Sequence, residues 1–480
     1  MSDKSKLKHD FAALYEDELL KQITYLSEKA GNTSSVAVPN ILDKFADPQY
    51  THQRISGMRV DRQIRAFPRY FWTRFRKKFS PKKVTAVEPL PSQPQPKILN
   101  PDITIICPVY PGGRRLYGGE FIERRALSYV AQGASVSIIE LSPKQNTHTV
   151  ETRDGIDVIR CGLTYAETYL QDFPPKQIGV HQIERPVWDL IKGKAGITPI
   201  TVWVHGFEAR DWKELAFNYT DDELEDLQEI LDKVTVERRD TIKEIMADVR
   251  IRKIFVSSYM KQTAEDFSAT DATNAHVIHN QILHTEFPYI AKPAAQRFKV
   301  LWVRSFAAHN YANDLSRDAI LELSKRDVFS NFDFTIFGDG KHFESSTIPL
   351  EKFDNITINQ RFVSTSEMSA LHKTHGIMLV PSRWDSQGLT CGEAMASGLV
   401  PITNNVAALP EFMDEQCGFL CIPDSPVAIA DALEFCATHP EAFLEMSEKA
   451  AQRAAKQCGK EATIDQEIDL LNLQAHRQGD

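Results

Sequence analysis

Short β-rich apolar runs alternate with longer stretches of helical periodicity over most of the chain. That alternation restricts the fold more than any other feature. Segments 103–108, 136–141, 156–160, 200–205, 253–257, 276–279, 299–303, 334–338, 356–359 and 377–381 read as strands, and another starts at 399–402. Helical stretches separate most of them; the first runs from about Gly119 to Gln132 and stops at Gly133. Runs that are apolar on both faces, with helices between, are what parallel sheets covered on both sides require. Two such blocks are present, about 98–290 and 298–450, joined by 291–296 with its Pro293. Each is the size of one doubly wound domain. The predicted fold class is therefore α/β.

A different kind of sequence precedes these blocks. Leu7, Phe11, Leu14, Leu19, Leu20, Ile23 and Leu26 recur at helical spacing, which predicts one amphipathic helix over 4–30. Segment 59–83 holds ten Lys or Arg and one acid, although the whole chain has a net charge of −9. Within it Phe71, Phe75 and Phe79 form an i,i+4 stripe, with Arg74, Arg76, Lys77 and Lys78 around the remaining face. Aromatics in a headgroup layer with cations toward anionic lipid would suit an interfacial helix; a nucleic-acid patch and a linker packed on the body are the competing readings. We expect an anionic membrane surface as partner and no nucleic acid. Pro89, Pro91, Pro94, Pro96 and Pro101 then fix φ and remove donors, as an extended connector does. The predicted organisation is an extension over 1–97, a first domain over 98–292, and a second over 293–480 whose closing helices, 442–473, pack against both.

Several chemistries are excluded at this level. No apolar run approaches the ~20 residues of a membrane-spanning helix, and the charged start MSDKSKLKHDF predicts no secretory signal. Seven scattered cysteines then point to reduced thiols in a cytoplasm, with any membrane contact peripheral at its inner face. Cys417 and Cys421 lack a second pair at zinc spacing and read as buried thiols. No nucleophile elbow, H-E-x-x-H, Walker lysine loop or G-x-G-x-x-G is present. No D-x-D pair precedes a plausible sugar site, so neither a metal nor a cofactor is expected.

The most informative stretch is 381–412, PSRWDSQGLTCGEAMASGLVPITNNVAALPEF. A strand ends at Pro381, a polar loop follows, and a helix begins near Gly388 and stops at Gly398. A helix N-terminus thus lies at the carboxyl end of a parallel strand, where open α/β sheets bind ligands. Free N–H groups of Gln387, Gly388 and Leu389 would favour a phosphate there. Asp385 and Glu393 can face the same cleft, and carboxylates accept well from vicinal hydroxyls.

This stretch resembles the carboxylate-x7-carboxylate motif of retaining GT-B glycosyltransferases of family 4, down to the EAMASGLVP and LPEF segments. The resemblance covers about 98–460. It implies two Rossmann-like domains facing a cleft, and transfer of a sugar from a nucleotide-sugar to a glycan or lipid-linked glycan without a metal. It makes Asp385, in place of the usual Glu, the donor-sugar contact and Glu393 the ribose contact. In VLWVRSFAAHNYANDL, Arg304 matches the family's pyrophosphate-binding Arg, and His309 stands where its Lys is expected, with Lys341 as another cation. The base would lie against 360–363, including Phe362. In the first domain, Gly118 and Gly119 match the glycine loop better than Gly112 and Gly113, and His205 matches a sugar-contacting histidine. The catalytic candidates are thus His205, Asp385 and Arg304. The donor-binding candidates are Gly118, Gly119, Arg304, His309, Phe362, Ser386, Gln387, Gly388, Leu389 and Glu393. A nucleotide-sugar epimerase or phosphorylase on the same architecture, or a non-enzymatic nucleotide-sugar sensor, are the rival readings.

Overall fold

The computed structural model describes residues 95–112 and 118–473. The predicted helix over 4–30, the basic segment 59–83 and most of the proline-rich connector lie outside the described residues.

The first domain runs β1 (Ile103–Cys107), α1 (Glu120–Ala131), β2 (Val136–Leu141), β3 (Thr149–Arg153), β4 (Ile156–Cys161), α2 (Leu163–Asp172), β5 (Ile178–His181), α3 (Arg185–Ile191), β6 (Ile200–Val204), α4 (Asp221–Ala247), β7 (Ile251–Phe255), α5 (Ser258–Ser268) and β8 (Ala275–Val277). Its sheet has the order β3-β4-β2-β1-β5-β6-β7-β8, parallel except for β3 at the edge. The central strands are buried along their whole length, as their unbroken apolar runs demand. The long α4 starts on a reciprocal cap: Glu223 N–H donates to Thr220 Oγ1, and Thr220 N–H donates to Glu223 Oε2. Its acids cluster in the first turn, where the helix dipole favours them.

The second domain runs β9 (Lys299–Val303), α6 (Asn313–Leu323), β10 (Asp333–Gly338), α7 (Phe343–Thr347), β11 (Ile356–Gln360), α8 (Thr365–Thr374), β12 (Ile377–Leu379), α9 (Leu389–Ala396), β13 (Val400–Asn404), α10 (Leu409–Phe412), β14 (Phe419–Cys421) and α11 (Pro426–Thr438). Its six strands, all parallel, have the order β11-β10-β9-β12-β13-β14. Both halves are thus Rossmann-like, and the strand order reverses between β1 and β5 in one and between β9 and β12 in the other. Ligands of such sheets bind outside the carboxyl ends at those points.

Two helices close the chain. α12 (Pro440–Cys458) buries Ala450, Ala454 and Cys458 against α9 and its neighbours. α13 (Ile464–Leu471) crosses back to the first domain, where Ile464, Ile468 and Leu471 join Ile103, Ile105 and Ile122 in one core. A carboxylate that accepts four hydrogen bonds from three residues fixes it there. Glu467 accepts from Arg125 Nε at 2.7 Å and Nη2 at 2.9 Å, from the Tyr129 hydroxyl at 2.6 Å and from Trp203 Nε1 at 3.1 Å.

The sequence reading missed three strands. β3 has one buried apolar residue, Val150, so its periodicity is faint. The turn that pairs it with β4, Asp154-Gly155, has positive φ at both residues (52° and 78°), and that Asp-Gly signal could have revealed the hairpin. β5 and β14 have four and three residues, too few for a pattern. All seven cysteines are buried and none is in a disulfide. No helix among the described residues is long and apolar enough to cross a membrane.

Candidate active site

The two sheets direct their carboxyl ends at one cavity of about 310 Å³. The first domain contributes Phe121 from the start of α1, Gln182 after β5, His205 and Phe207 after β6, and Asn280 after β8. The second contributes Arg304 and Tyr311 after β9, Asp385, Ser386 and Gln387 between β12 and α9, and Leu389 and Thr390 at the start of α9. Of the residues singled out in the sequence, His205, Arg304, Asp385, Ser386, Gln387 and Leu389 therefore meet in one place.

Local geometry explains how each is held. Glu208, itself buried, accepts from the N–H groups of His205 (2.6 Å) and Gly206 (3.0 Å) and so fixes the turn after β6. Gly206 has φ of 145°, and a Cβ on it would lie 2.7 Å from the Trp384 ring of the other domain. Glycine is needed for both reasons. Burial and the neighbouring Arg125 guanidinium hold the His205 imidazole well below its ordinary pKa. Arg304 donates from Nη2 to Ser382 Oγ at 2.7 Å and to the Val380 carbonyl at 3.3 Å, while its buried Nε has no partner. Its guanidinium lies over the Tyr311 ring, 5.2 Å from the centroid.

The loop before α9 departs from the sequence expectation. The N–H groups of Gln387 and Gly388, expected to be free for an anion, both donate to Asp385 Oδ1, at 3.2 and 2.6 Å. A short acidic side chain just before a helix competes for such donors as an N-cap does. Gly388 takes the left-handed conformation at the helix start, φ 79°. The Gln387 side chain is also occupied: it accepts from Asn280 N–H at 2.8 Å and donates to the Asn280 carbonyl at 2.9 Å. Gln387 therefore ties the domains together, and Asp385 both closes the turn that leads into the helix and faces the cavity.

The other candidates lie outside the cavity wall. Glu393, one turn into α9, accepts from Arg124 Nη1 of α1 at 3.0 Å, and Arg124 Nη2 is 3.1 Å from Glu286. Burial pushes the Glu393 carboxyl up, and Arg124 opposes that shift. Gly118 and Gly119 lead into α1; a Cβ on Gly119 would lie 2.5 Å from the Val109 carbonyl. His309 lies against His342 with 4.0 Å between ring centroids and the planes tilted by 42°, and burial lowers its pKa and takes that of His342 to about 4. Lys341 and Phe362 are exposed. Sequence reasoning passed over Gln182, Asn280 and Tyr311, which carry no local signal. Phe121 follows the glycine pair directly and could have been found from it.

More contacts cross between the domains at this point. Ser257 Oγ donates to the Ser386 carbonyl at 2.8 Å. Glu411 accepts from Ser258 and Tyr259 N–H at the start of α5, at 2.9 and 3.2 Å. The Arg210 guanidinium stacks 3.4 Å from the Trp384 ring centroid. The acid of LPEF, Glu411, is thus a cap for a helix of the opposite domain.

Comparison with known proteins supports the fold and the motif. Residues 297–439 match the family model described as Glycosyl transferases group 1. A 98-residue stretch is 34% identical to an uncharacterized 41.2 kDa protein in the cps region of Klebsiella pneumoniae, covering 20% of this chain and 26% of that protein. The chain therefore matches about a quarter of that relative's length. Among solved structures, sucrose-phosphate synthase from Thermosynechococcus elongatus superposes with a TM-score of 0.63, at 15% identity over 77% of this chain and 98% of the other. WaaG, a glycosyltransferase involved in lipopolysaccharide biosynthesis, gives 0.57 at 14% identity over 77% and 99%. A trehalose-6-phosphate structure from E. coli bound with UDP-2-fluoro glucose gives 0.54 at 10% identity over 78% and 99%. At such identities the likeness is one of fold. The family match and the fold converge on one statement: this chain has a GT-B architecture whose second domain matches, over 297–439, the model described as Glycosyl transferases group 1.

Proposed function

We propose that the protein moves a sugar, with retention, from a nucleotide-sugar to a glycan or lipid-linked glycan. The observation that carries this reading is the convergence of His205, Arg304 and Asp385 on one cavity between two Rossmann-like halves, with Arg304 and Asp385 inside the segment that matches the group 1 glycosyl transferase model. The roles follow from the chemistry present. The donor sugar occupies the cavity beside Asp385 and His205. Arg304, always charged, faces the diphosphate and stabilises the charge that develops as the sugar leaves. Glu393 accepts from ribose hydroxyls; the Arg124 guanidinium beside it favours the ionised carboxyl, the better acceptor. With the attacking hydroxyl on the face the diphosphate leaves, the protein's contribution is orientation and charge stabilisation. The relative in a cps region and the fold neighbour in lipopolysaccharide biosynthesis support a cell-surface glycan as the class of acceptor. The protein acts without a metal in the cytoplasm, and its basic segment holds it at the inner face of the membrane.

The test is incubation with a panel of nucleotide-sugars and candidate acceptors in EDTA, with nucleoside diphosphate release and product anomeric configuration as readouts. Acceptor-dependent release with a retained configuration is expected. Absence of release with every donor, or turnover of the donor without any acceptor, refutes the reading.

A further inference from the structure

The sugar-contacting candidate His205 has a second, fully buried histidine behind it. His181 ends β5 and sits beside Trp203 in the register of β5 with β6. Residues two apart on a strand share a face, so Trp203 and His205 point the same way and His181 lies next to both. His181 stacks on the Trp203 ring, 4.5 Å between centroids and 17° between planes. Its Nδ1 is 2.8 Å from His205 Nε2. Among the described residues its buried Nε2 has no partner, and His205 Nδ1 makes no hydrogen bond. The charged groups around the pair include Arg125, which approaches Trp203 at 5.6 Å, Glu467, bound to both Arg125 and Trp203, and Glu208, whose carboxylate accepts from the His205 backbone N–H. Burial and the Arg125 charge keep both rings neutral.

Two neutral imidazoles carry one N–H each, and the bond between them uses one proton and one lone pair. Only two arrangements satisfy this. In one, His205 Nε2–H donates to His181 Nδ1, which leaves the His181 Nε2–H orphaned in the core and a bare Nδ1 on His205. In the other, His181 Nδ1–H donates to His205 Nε2, which leaves only a lone pair unpartnered in the core. Buried orphan donors are the rarer of the two in folded proteins, and a lone pair suits the neighbourhood of Arg125 better than a polarised N–H. We propose that His181 is a positioning residue that donates from Nδ1 to His205 Nε2 and thereby makes His205 present Nδ1–H, a hydrogen-bond donor, to the cavity. His205 then has no basic nitrogen available to the cavity. It can hold a sugar oxygen and cannot take the acceptor's proton. That consequence for transfer rests on the function proposed above, whereas the placement of the proton does not.

The placement is read from the full-length protein carrying 15N-labelled histidine, by the nitrogen shifts and long-range couplings of His205, assigned with His181→Asn and His181→Phe. The parent is expected to show His205 as the Nδ1–H tautomer. In His181→Asn, the amide nitrogen stands where Nδ1 stood and can still donate, so His205 keeps that tautomer. In His181→Phe, checked by thermal melting to be folded, His205 becomes a mixture of tautomers. Where transfer is measurable, the Phe variant loses about tenfold in kcat, the scale of one hydrogen bond, with little change in donor KM, and the Asn variant recovers most of that loss. A parent His205 protonated on Nε2, or an unchanged Nδ1–H tautomer in a folded Phe variant, overturns the inference. If the tautomer is as stated and no donor is turned over, the proposed function fails and this inference stands.

Discussion

Replacing Glu467 tests how the end of the chain is held. Its carboxylate is fully buried and accepts four hydrogen bonds, two of them from a guanidinium that is 2% exposed. Glu467→Leu keeps much of the volume and removes the charge. Arg125 is then left in the core with two weak acceptors, Asn280 Oδ1 at 3.3 Å and the Phe121 carbonyl at 3.5 Å. Breaking a buried pair from one side costs about 3–5 kcal/mol, and Tyr129 and Trp203 lose their acceptor as well. For a domain of this size each kcal/mol moves the melting temperature by about 2–4 °C, so a fall on the order of 10 °C is expected. Thermal and urea unfolding followed by tryptophan fluorescence would measure it. The double variant Arg125→Met/Glu467→Leu should recover much of the loss, because no buried charge is then left unpaired, although Tyr129 and Trp203 still lack their acceptor. A single variant within 1 kcal/mol of the parent, or a double variant less stable than either single, would refute the claim that the penalty comes from an uncompensated charge.

Glu393→Gln and Arg304→Ala should each weaken donor binding by about ten- to a hundredfold, the cost of a charge-assisted hydrogen bond; both should also weaken binding of the bare nucleoside diphosphate, which carries the ribose and the phosphates alike. Unchanged titrations with folded variants would remove those residues from the site. Burial, aided by Lys292, takes His372 down to about 3, and burial with the Arg125 charge holds His181 and His205 well below the imidazole range. The unfolded chain binds protons at these three near pH 6.5 and the folded chain does not, so their contribution is complete above about pH 6.5 and is lost as the pH falls, at about 1.4 kcal/mol per pH unit for each. A melting temperature that stays level from pH 7 to pH 5 would contradict this. Protein containing 59–83 should pellet with anionic liposomes at low salt and a chain starting at Ile98 should not; equal behaviour of the two would deny the segment a membrane role.

The strand runs and the 381–412 motif were legible in the sequence because their information is local. A parallel strand buried on both faces must be apolar throughout, and a loop and helix start after such a strand mark a binding edge wherever they occur. The acidic pair Asp385 and Glu393 was placed on that basis, and Arg304 by the resemblance to the family. What they touch was decided by tertiary structure. Glu393 meets Arg124 across 269 residues, Arg125 meets Glu467 across 342, and Gln387 meets Asn280 across 107. No periodicity couples such positions; they meet because two sheets and a returning helix bring them together. The same holds for His181 and His205, which lie 24 residues apart and become neighbours only through the register of β5 on β6. The sequence also could not show that Asp385 would take up the N–H groups of its own loop, since a carboxylate and a bound anion compete for the same donors and the backbone geometry after Pro381 settles which is served.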